Sequence, residues 1–223
     1  MKNYLSILAH KIAVKFDRYA HHSQITSLRS QLGNCPTSAI FKLPDACTCP
    51  KKIFLAENTS IYEGARFIIS PRGESGKFIM KSHSYAAQGL TVITGSHARQ
   101  VGMHNLETAE TRRYDVDKDV IVEEEVGIGV GVTLLAGVKI GRGATIGAGS
   151  VCVNSVPPYA VVMGNPAQVV GFVFTPEQII EHERALYPEE ERLPLAKLEK
   201  NYKRYYLDQI QNIAKYMNLS IRS

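Results

Sequence analysis

The stretch Val116–Ser150 reads VDKDVI VEEEVG IGVGVT LLAGVK IGRGAT IGAGS when cut every six residues. An aliphatic residue opens each block, at Val116, Val122, Ile128, Leu134, Ile140 and Ile146. Four places later stands a small or β-branched residue, at Val120, Val126, Val132, Val138, Ala144 and Ser150, and glycine follows the opener at Gly129, Gly141 and Gly147. A period of six is neither the roughly 3.6 of a helix nor the roughly 2 of a half-buried strand. It marks a parallel β-helix, in which short strands are joined by tight turns and glycine serves the corners. An apolar, Gly-rich strand pair of a sandwich gives no reason for six blocks to keep one register.

Working outward toward the N-terminus, the same spacing returns. Leu55, Ile61 and Phe67 lie six apart, with Thr59 and Ala65 at the small inward sites; Met80, Ala86 and Val92 follow, with Ser84 and Leu90 inward. The step from Phe67 to Met80 is 13 residues, one more than two hexads, so the segment Ser70–Gly76 is expected to bulge outward. After Val92 the rhythm is lost, and Thr94 to about Arg113 is polar and charged. A long irregular excursion on a rigid scaffold is where function tends to sit. Beyond Ser150, the turn-rich Val156-Pro157-Pro158-Tyr159 and Met163-Gly164-Asn165-Pro166-Ala167 end the coil.

The two ends read as helical. In residues 2–32, Leu5, Leu8, Ile12, Phe16 and Tyr19 share a face. This helix is expected to pack on the body or on a neighbouring subunit; the alternative is a basic amphipathic helix in weak contact with a membrane surface. Gly33-Asn34-Cys35-Pro36 breaks it. A further helix starts at Thr175, with Pro176 at its first position and Gln178 placed for a capping box, and Pro188 follows its end. A last helix is expected from about Pro194 to Met217, with Leu198, Tyr202, Tyr205, Tyr206, Ile210, Ile213 and Met217 on its apolar side, capping the solenoid end. The division is therefore a helix and linker at 1–48, a β-helix at 49–174 with a loop inserted at about 94–115, and a helical extension at 175–223.

A chain of 223 residues suffices for one sizeable core with an appended subdomain. The formal net charge of +5 is mild and much of it lies near the two ends, which suits an anionic ligand better than a nucleic-acid interface. Cys47 and Cys49 are too closely spaced for the usual zinc pairs, and Cys152 falls on an opener position as a small core residue. Reduced thiols, the interruption of the early apolar stretch by His10 and Lys11, and the lack of any span-length apolar run make a cytoplasmic location the expectation.

Hexad coils, the Thr94-Gly95-Ser96-His97 loop, Ile146-Gly147-Ala148-Gly149-Ser150 and the Val156–Ala167 turns together resemble the hexapeptide-repeat acyltransferases. The nearest branch is similar to the sugar O-acetyltransferases of capsule, exopolysaccharide and O-antigen synthesis. The likeness covers roughly residues 50–171. It implies an all-β solenoid, a left-handed parallel β-helix with flanking N-terminal and C-terminal α-helices; periodicity does not give that hand, since crossovers are normally right-handed. It also implies a homotrimer and acetyl-CoA as acyl donor, with no metal.

The resemblance puts His97 at the family's catalytic histidine. A hydroxyl is a poor nucleophile at neutral pH, and an imidazole within reach takes its proton as it attacks the thioester, a contribution of roughly 10²–10⁴-fold. Backbone N–H groups would hold the developing oxyanion. His104, in the same loop, is the rival, and His83 precedes a corner and is read as structural or as a site wall. For the donor the resemblance points to Gly129, Val130, Ala148 and Val153, with the Gly164-Asn165-Pro166 turn at the nucleotide end. Two departures stand out. The family often has a large aromatic where Gly127 stands, and basic residues where Asn154, Gln168 and Gly171 stand. A wider acyl pocket or weaker coenzyme A binding is the expectation, unless Lys139, Arg142 or a terminal lysine compensates.

The acceptor implied is a sugar, free or linked to a nucleotide or lipid, with Tyr62 near the place relatives use to hold it and the Glu63, Arg66 and Arg72 region as a further candidate. The Arg99–Arg113 loop is expected to cover a neighbour's site. Two alternatives stand beside this reading. One is N-acetylation of an amino sugar, or acetylation of serine or a small xenobiotic. The other is a non-catalytic or zinc-binding solenoid using His83, His97 and His104.

Overall fold

In a computed structural model of the chain, residues 14–15, 19–111 and 116–218 are described. The N-terminal helix face read through Leu5, Leu8, Ile12 and Phe16 lies outside these residues; what is described is helical at 19–29, here α1.

The chain winds through three parallel sheets in a fixed order. The first coil has β1 (Ile40–Phe41) and β2 (Ala46–Cys47), preceded by an Asn34–Phe54 bridge. The second has β3 (Ile53–Leu55), β4 (Ser60–Ile61) and β5 (Arg66–Ile68), and the third β6 (Phe78–Met80), β7 (Tyr85–Ala86) and β8 (Thr91–Ile93). An excursion follows, in which β9 (Gly95–Ser96) and β10 (Val116–Asp117) form an antiparallel ribbon flanking the short helix α2 (Asn105–Thr111). The fourth coil has β11 (Val120–Val122), β12 (Gly127–Ile128) and β13 (Thr133–Leu134); the fifth has β14 (Lys139–Ile140), β15 (Thr145–Ile146) and β16 (Val151–Cys152). A hairpin of β17 (Ala160–Gly164) and β18 (Ala167–Phe172) closes the stack.

We number the faces in the order the chain visits them: β3, β6, β11 and β14 form face 1; β1, β4, β7, β12, β15, β17 and β18 form face 2; β2, β5, β8, β13 and β16 form face 3. Pairing keeps each hexad in register, as in Tyr85–Ala86 on Gly127–Ile128 and these on Thr145–Ile146. The openers Ile61, Phe67, Met80, Ala86, Val92, Val122, Ile128, Leu134, Ile140, Ile146 and Cys152 fill the prism, each at most 1% exposed. The inward sites four places on are buried too, and their small size lets the chain turn. Where they are polar, the hydroxyl serves the corner backbone: Ser84 Oγ donates to Glu123 O at 2.7 Å and accepts from Val126 N at 3.0 Å.

The corners explain the repeated glycines. Gly64, Gly89, Gly131 and Gly149 stack on the face 2–face 3 corner, all with φ between 69° and 75°. Glycine adopts that conformation without the steric cost a Cβ brings. On the face 1–face 2 corner the same conformation falls to Asn58, His83, Glu125, Gly143 and Tyr159. His83 is thus a corner residue, its ring 3.3 Å from the Asn58 side-chain amide.

Four expectations need correction. The solenoid begins inside the segment read as linker, because Ile40–Phe41 and Ala46–Cys47 already pair with the second coil. Val116 opens no hexad: it is 49% exposed and belongs to the ribbon, so regular coiling resumes only at Val120. The turn-rich segment after Ser150 does not simply end the coil. Strand β18 turns back antiparallel on β17 and covers its open edge. Finally, the last helix is two, α4 (Leu195–Tyr205) and α5 (Ile210–Tyr216), because Tyr206 leaves helical geometry at φ −122°, ψ −65°. Ile210, read as inward, is consequently 44% exposed. Helix α3 (Pro176–Leu186) has the expected cap: Thr175 Oγ1 accepts from Gln178 N, and Gln178 Oε1 from Thr175 N.

Candidate active site

Both departures from regular coiling leave the prism at one corner, between face 3 and face 1. The first is the bulge 70–76, which the extra residue between Phe67 and Met80 forces outward. Lys52 holds it from beneath. That side chain is 5% exposed, and its Nζ donates to the carbonyls of Ser70 (2.8 Å), Arg72 (2.5 Å) and Ser75 (2.7 Å). The second is the excursion after Thr94, which is clamped at its base by Lys118 N donating to Thr94 O at 2.9 Å. Thr48 ties the corner together, accepting from Ile69 N at 2.8 Å and donating to Ile69 O at 2.7 Å.

A cavity of about 350 Å³ opens between the two insertions. His97 lines it, one residue beyond β9 and exposed. Thr48, Ser70, Ser96 and Asp117 give it polar walls, and Ile68, Ile69 and Pro71 an apolar side. A small concave site with an imidazole among convergent polar groups is the arrangement in which a hydroxyl can be bound and deprotonated. His104 sits exposed at the start of α2, its backbone N–H donating to Glu107 at 3.2 Å, and is not among the residues lining this cavity. His83 lies on a different corner, so His83, His97 and His104 do not form one cluster.

The residues expected to hold the acyl donor divide between two edges of face 3. Val153 follows β16 at the same corner as His97 and is 41% exposed. Gly129, Val130 and Ala148 stack on the opposite, glycine-lined corner, where Val130 is 53% exposed. A single chain therefore does not bring them to His97. Gly129 has an independent reason to be glycine: a Cβ there would lie 2.7 Å from Ala148 N of the next coil. Gly131 and Gly149 face open space, leaving a backbone strip against which an extended chain of atoms fits. The Gly164-Asn165-Pro166 turn fits less well. A Cβ at Gly164 would lie 2.0 Å from the Tyr216 hydroxyl of α5, which sits 3.4 Å from Met163 O. The C-terminal helix rests on this turn.

Two further expectations change. The position beside Gly127 is not open, because the Tyr85 ring from the neighbouring coil lies across it, its hydroxyl 3.0 Å from where a Cβ would be. The aromatic surface is displaced by one coil rather than missing. Arg142 does not substitute for the absent basic residues. Its side chain is 12% exposed, pairs with Glu124 at 3.3 Å and Glu183 at 3.4 Å, and stacks 4.0 Å from the Tyr187 ring. Lys139 pairs with Glu123 at 2.6 Å but keeps 58% of its side chain exposed. Tyr62 lies on the face 2–face 3 corner, across face 3 from His97. Arg66 is exposed on face 3 and Arg72 on the bulge; of the Arg99–Arg113 loop, Arg112 and Arg113 lie outside the described residues.

Lys52 and Asp117 escaped the sequence reading. Lys52 is one of a Lys-Lys pair with no signal of burial, and Asp117 stands in a six-residue block that forms no hexad.

No family profile matches the chain. Over 136 residues it is 31% identical to serine acetyltransferase 4 of Arabidopsis thaliana, a match covering 60% of this chain and 38% of that one. Over 110 residues it is 34% identical to a probable macrolide acetyltransferase of Lysinibacillus sphaericus, covering 48% and 58%. The chain thus spans well under two thirds of these relatives' own lengths. Among solved structures, a hexapeptide-repeat acetyltransferase of Vibrio cholerae O1 biovar eltor in complex with acetyl coenzyme A superposes with a TM-score of 0.56 at 21% identity, covering 72% of this chain and 78% of that one. That likeness is one of fold. The sequence relatives are acetyltransferases and the solved neighbour shares the fold, so with its six-residue coil and broken corner the chain is similar to the hexapeptide-repeat acetyltransferases.

Proposed function

We propose that the protein transfers an acetyl group from acetyl-CoA to a hydroxyl, with His97 as general base. The acceptor in this reading is a sugar of a surface-polysaccharide precursor, free or carried on a nucleotide or lipid, in the cytoplasm. The observation that carries it is the position of His97, in a polar cavity at the corner where both insertions leave the prism. In the reaction the acceptor oxygen bonds to the thioester carbonyl carbon as its proton passes to the His97 imidazole. The carbon–sulfur bond then breaks, and the proton goes on to the departing thiolate. No acyl-enzyme is required.

Because His97 and the Gly129–Val130–Ala148 strip lie on opposite edges of face 3, the reading includes three copies of a left-handed coil packed side by side. The His97 corner of one copy then faces the glycine-lined corner of the next. Backbone along that strip, Val153 and the Tyr85 ring would border the donor. The Gly164 turn contributes less, since Tyr216 covers it.

A second reading, acetylation of serine or of a small hydroxyl-bearing xenobiotic, is supported by the serine and macrolide enzymes among the relatives. Turnover of acetyl-CoA against galactosides, nucleotide-linked sugars, serine and a macrolide separates the two. His97→Ala is expected to lose roughly 10²–10⁴-fold in rate. Both proteins are expected to sediment at three times the 24.7 kDa chain mass. Near-normal turnover by the variant would remove His97 from the mechanism, and preference for serine would decide for the second reading.

A further inference from the structure

Resting on the acetyl-transfer reading, we propose that Asp117 holds the acceptor in the His97 cavity: its carboxylate accepts a hydrogen bond from a hydroxyl neighbouring the one His97 deprotonates.

The geometry of the ribbon carries this. Asp117 pairs directly opposite Gly95 in the antiparallel β9–β10 ladder. Side chains along an extended strand alternate between faces, and directly opposed residues share a face. Gly95 and His97 are two apart, so Asp117, Gly95 and His97 lie on the same side of the ribbon. Both Asp117 and His97 line the same cavity. Diagonal neighbours in such a ladder have Cβ atoms about 7–8 Å apart or somewhat less. Two neighbouring hydroxyls, each reaching its partner across about 2.7–2.8 Å, span that gap.

Asp117 is also held in place. A Cβ at Gly95 would lie 2.3 Å from Asp117 Oδ1, so the carboxylate occupies room that only glycine leaves. On its other side a Cβ at Gly76 would lie 3.3 Å from Asp117 Cβ. The backbone just beyond is fixed twice, by Lys118 N on Thr94 O at 2.9 Å and by Lys77 N on Asp119 Oδ1 at 2.8 Å. Asp119 takes the structural hydrogen bond, and Asp117 stands on the cavity wall.

The test uses the full chain, acetyl-CoA, and the panel of glycosides and serine, followed by single-deoxy analogues of the best acceptor. Asp117→Asn and Asp117→Ala are expected to raise KM for that acceptor roughly tenfold to hundredfold, the scale of a lost charge-assisted hydrogen bond. KM for acetyl-CoA should stay unchanged. One deoxy analogue should cost the wild type the same factor and cost the variants nothing further, which a merely structural role would not produce. Gly95→Ala, which displaces the carboxylate without removing it, is expected to mimic the Asp117 variants. Unchanged acceptor KM in Asp117→Ala, or losses from variant and deoxy analogue that simply multiply, would overturn the assignment while leaving acetyl transfer standing. A wild-type protein inactive on every acceptor would remove the transfer reading and this one with it.

Discussion

At the scale of single residues, identity follows position in the coil more than chemistry. Cys152 illustrates this. It occupies an opener site, 1% exposed, paired in register with Leu134. Burial pushes its thiol up to about 11, so at neutral pH it holds its proton and is no nucleophile. Alkylation of the folded protein at pH 8 is expected to spare Cys152 and to label it only after denaturation, as peptide mass mapping would show. Gly129 is a second case. As a cofactor residue it was an inference from family likeness, yet its lack of a side chain is already demanded by the backbone of the next coil. The glycine motif alone therefore does not separate packing from binding.

At the scale of elements, one buried carboxylate joins the contacts that fasten the C-terminal extension to the prism. Glu183 of α3 is fully buried. It accepts from the Tyr159 hydroxyl at 3.1 Å and from Arg142 at 3.4 Å, and Leu193 N donates to it as well. Burial, and then the neighbouring Glu183 charge, push the Tyr159 hydroxyl far above the usual tyrosine range, so it stays a donor. Glu183→Ala would strand the Tyr159 hydroxyl and one face of Arg142 in the interior. A loss of about 2–4 kcal/mol in chemical denaturation is expected, with α3 and α4 losing amide-exchange protection before the coils. The capping box that starts α3 was legible from Thr175, Pro176 and Gln178. The Glu183 anchor was not, because its partners come from residues 24 and 41 places away.

At the scale of the whole molecule, the coils are also linked along the axis by charge. On face 1, Lys81 of the third coil and Lys139 of the fifth both reach Glu123 of the fourth, at 2.5 and 2.6 Å. Burial acts to raise the Glu123 carboxyl, but the hydrogen bonds from Lys139 and Lys81 outweigh it and hold the group below the ordinary value of 4.5. A carboxylate depressed by folding adds stability above its unfolded value, and that contribution is lost as pH falls through the folded one. Melting temperature is therefore expected to drop as pH is lowered below about 4.5. Glu123→Gln should flatten that dependence and cost about 1 kcal/mol at pH 7.

The sequence by itself determined the coil. A six-residue repeat fixes which residues face inward, because each strand is two or three residues long and each corner must turn, and these are local constraints. It also located the break after Val92 and the histidine just beyond it. Only the tertiary structure decided where regular coiling resumes, since Val116 and Asp117 read as a hexad until their antiparallel pairing with Ser96 and Gly95 is seen. It alone placed the His97 cavity between two insertions that leave successive coils, with the buried Lys52 beneath the bulge. It also set His97 and the Gly129 strip on opposite edges of one face. Periodicity specifies what each residue does within its own coil. Contacts between coils, and between insertions at a shared corner, depend on stacking distance along the prism, and no six-residue window contains that distance.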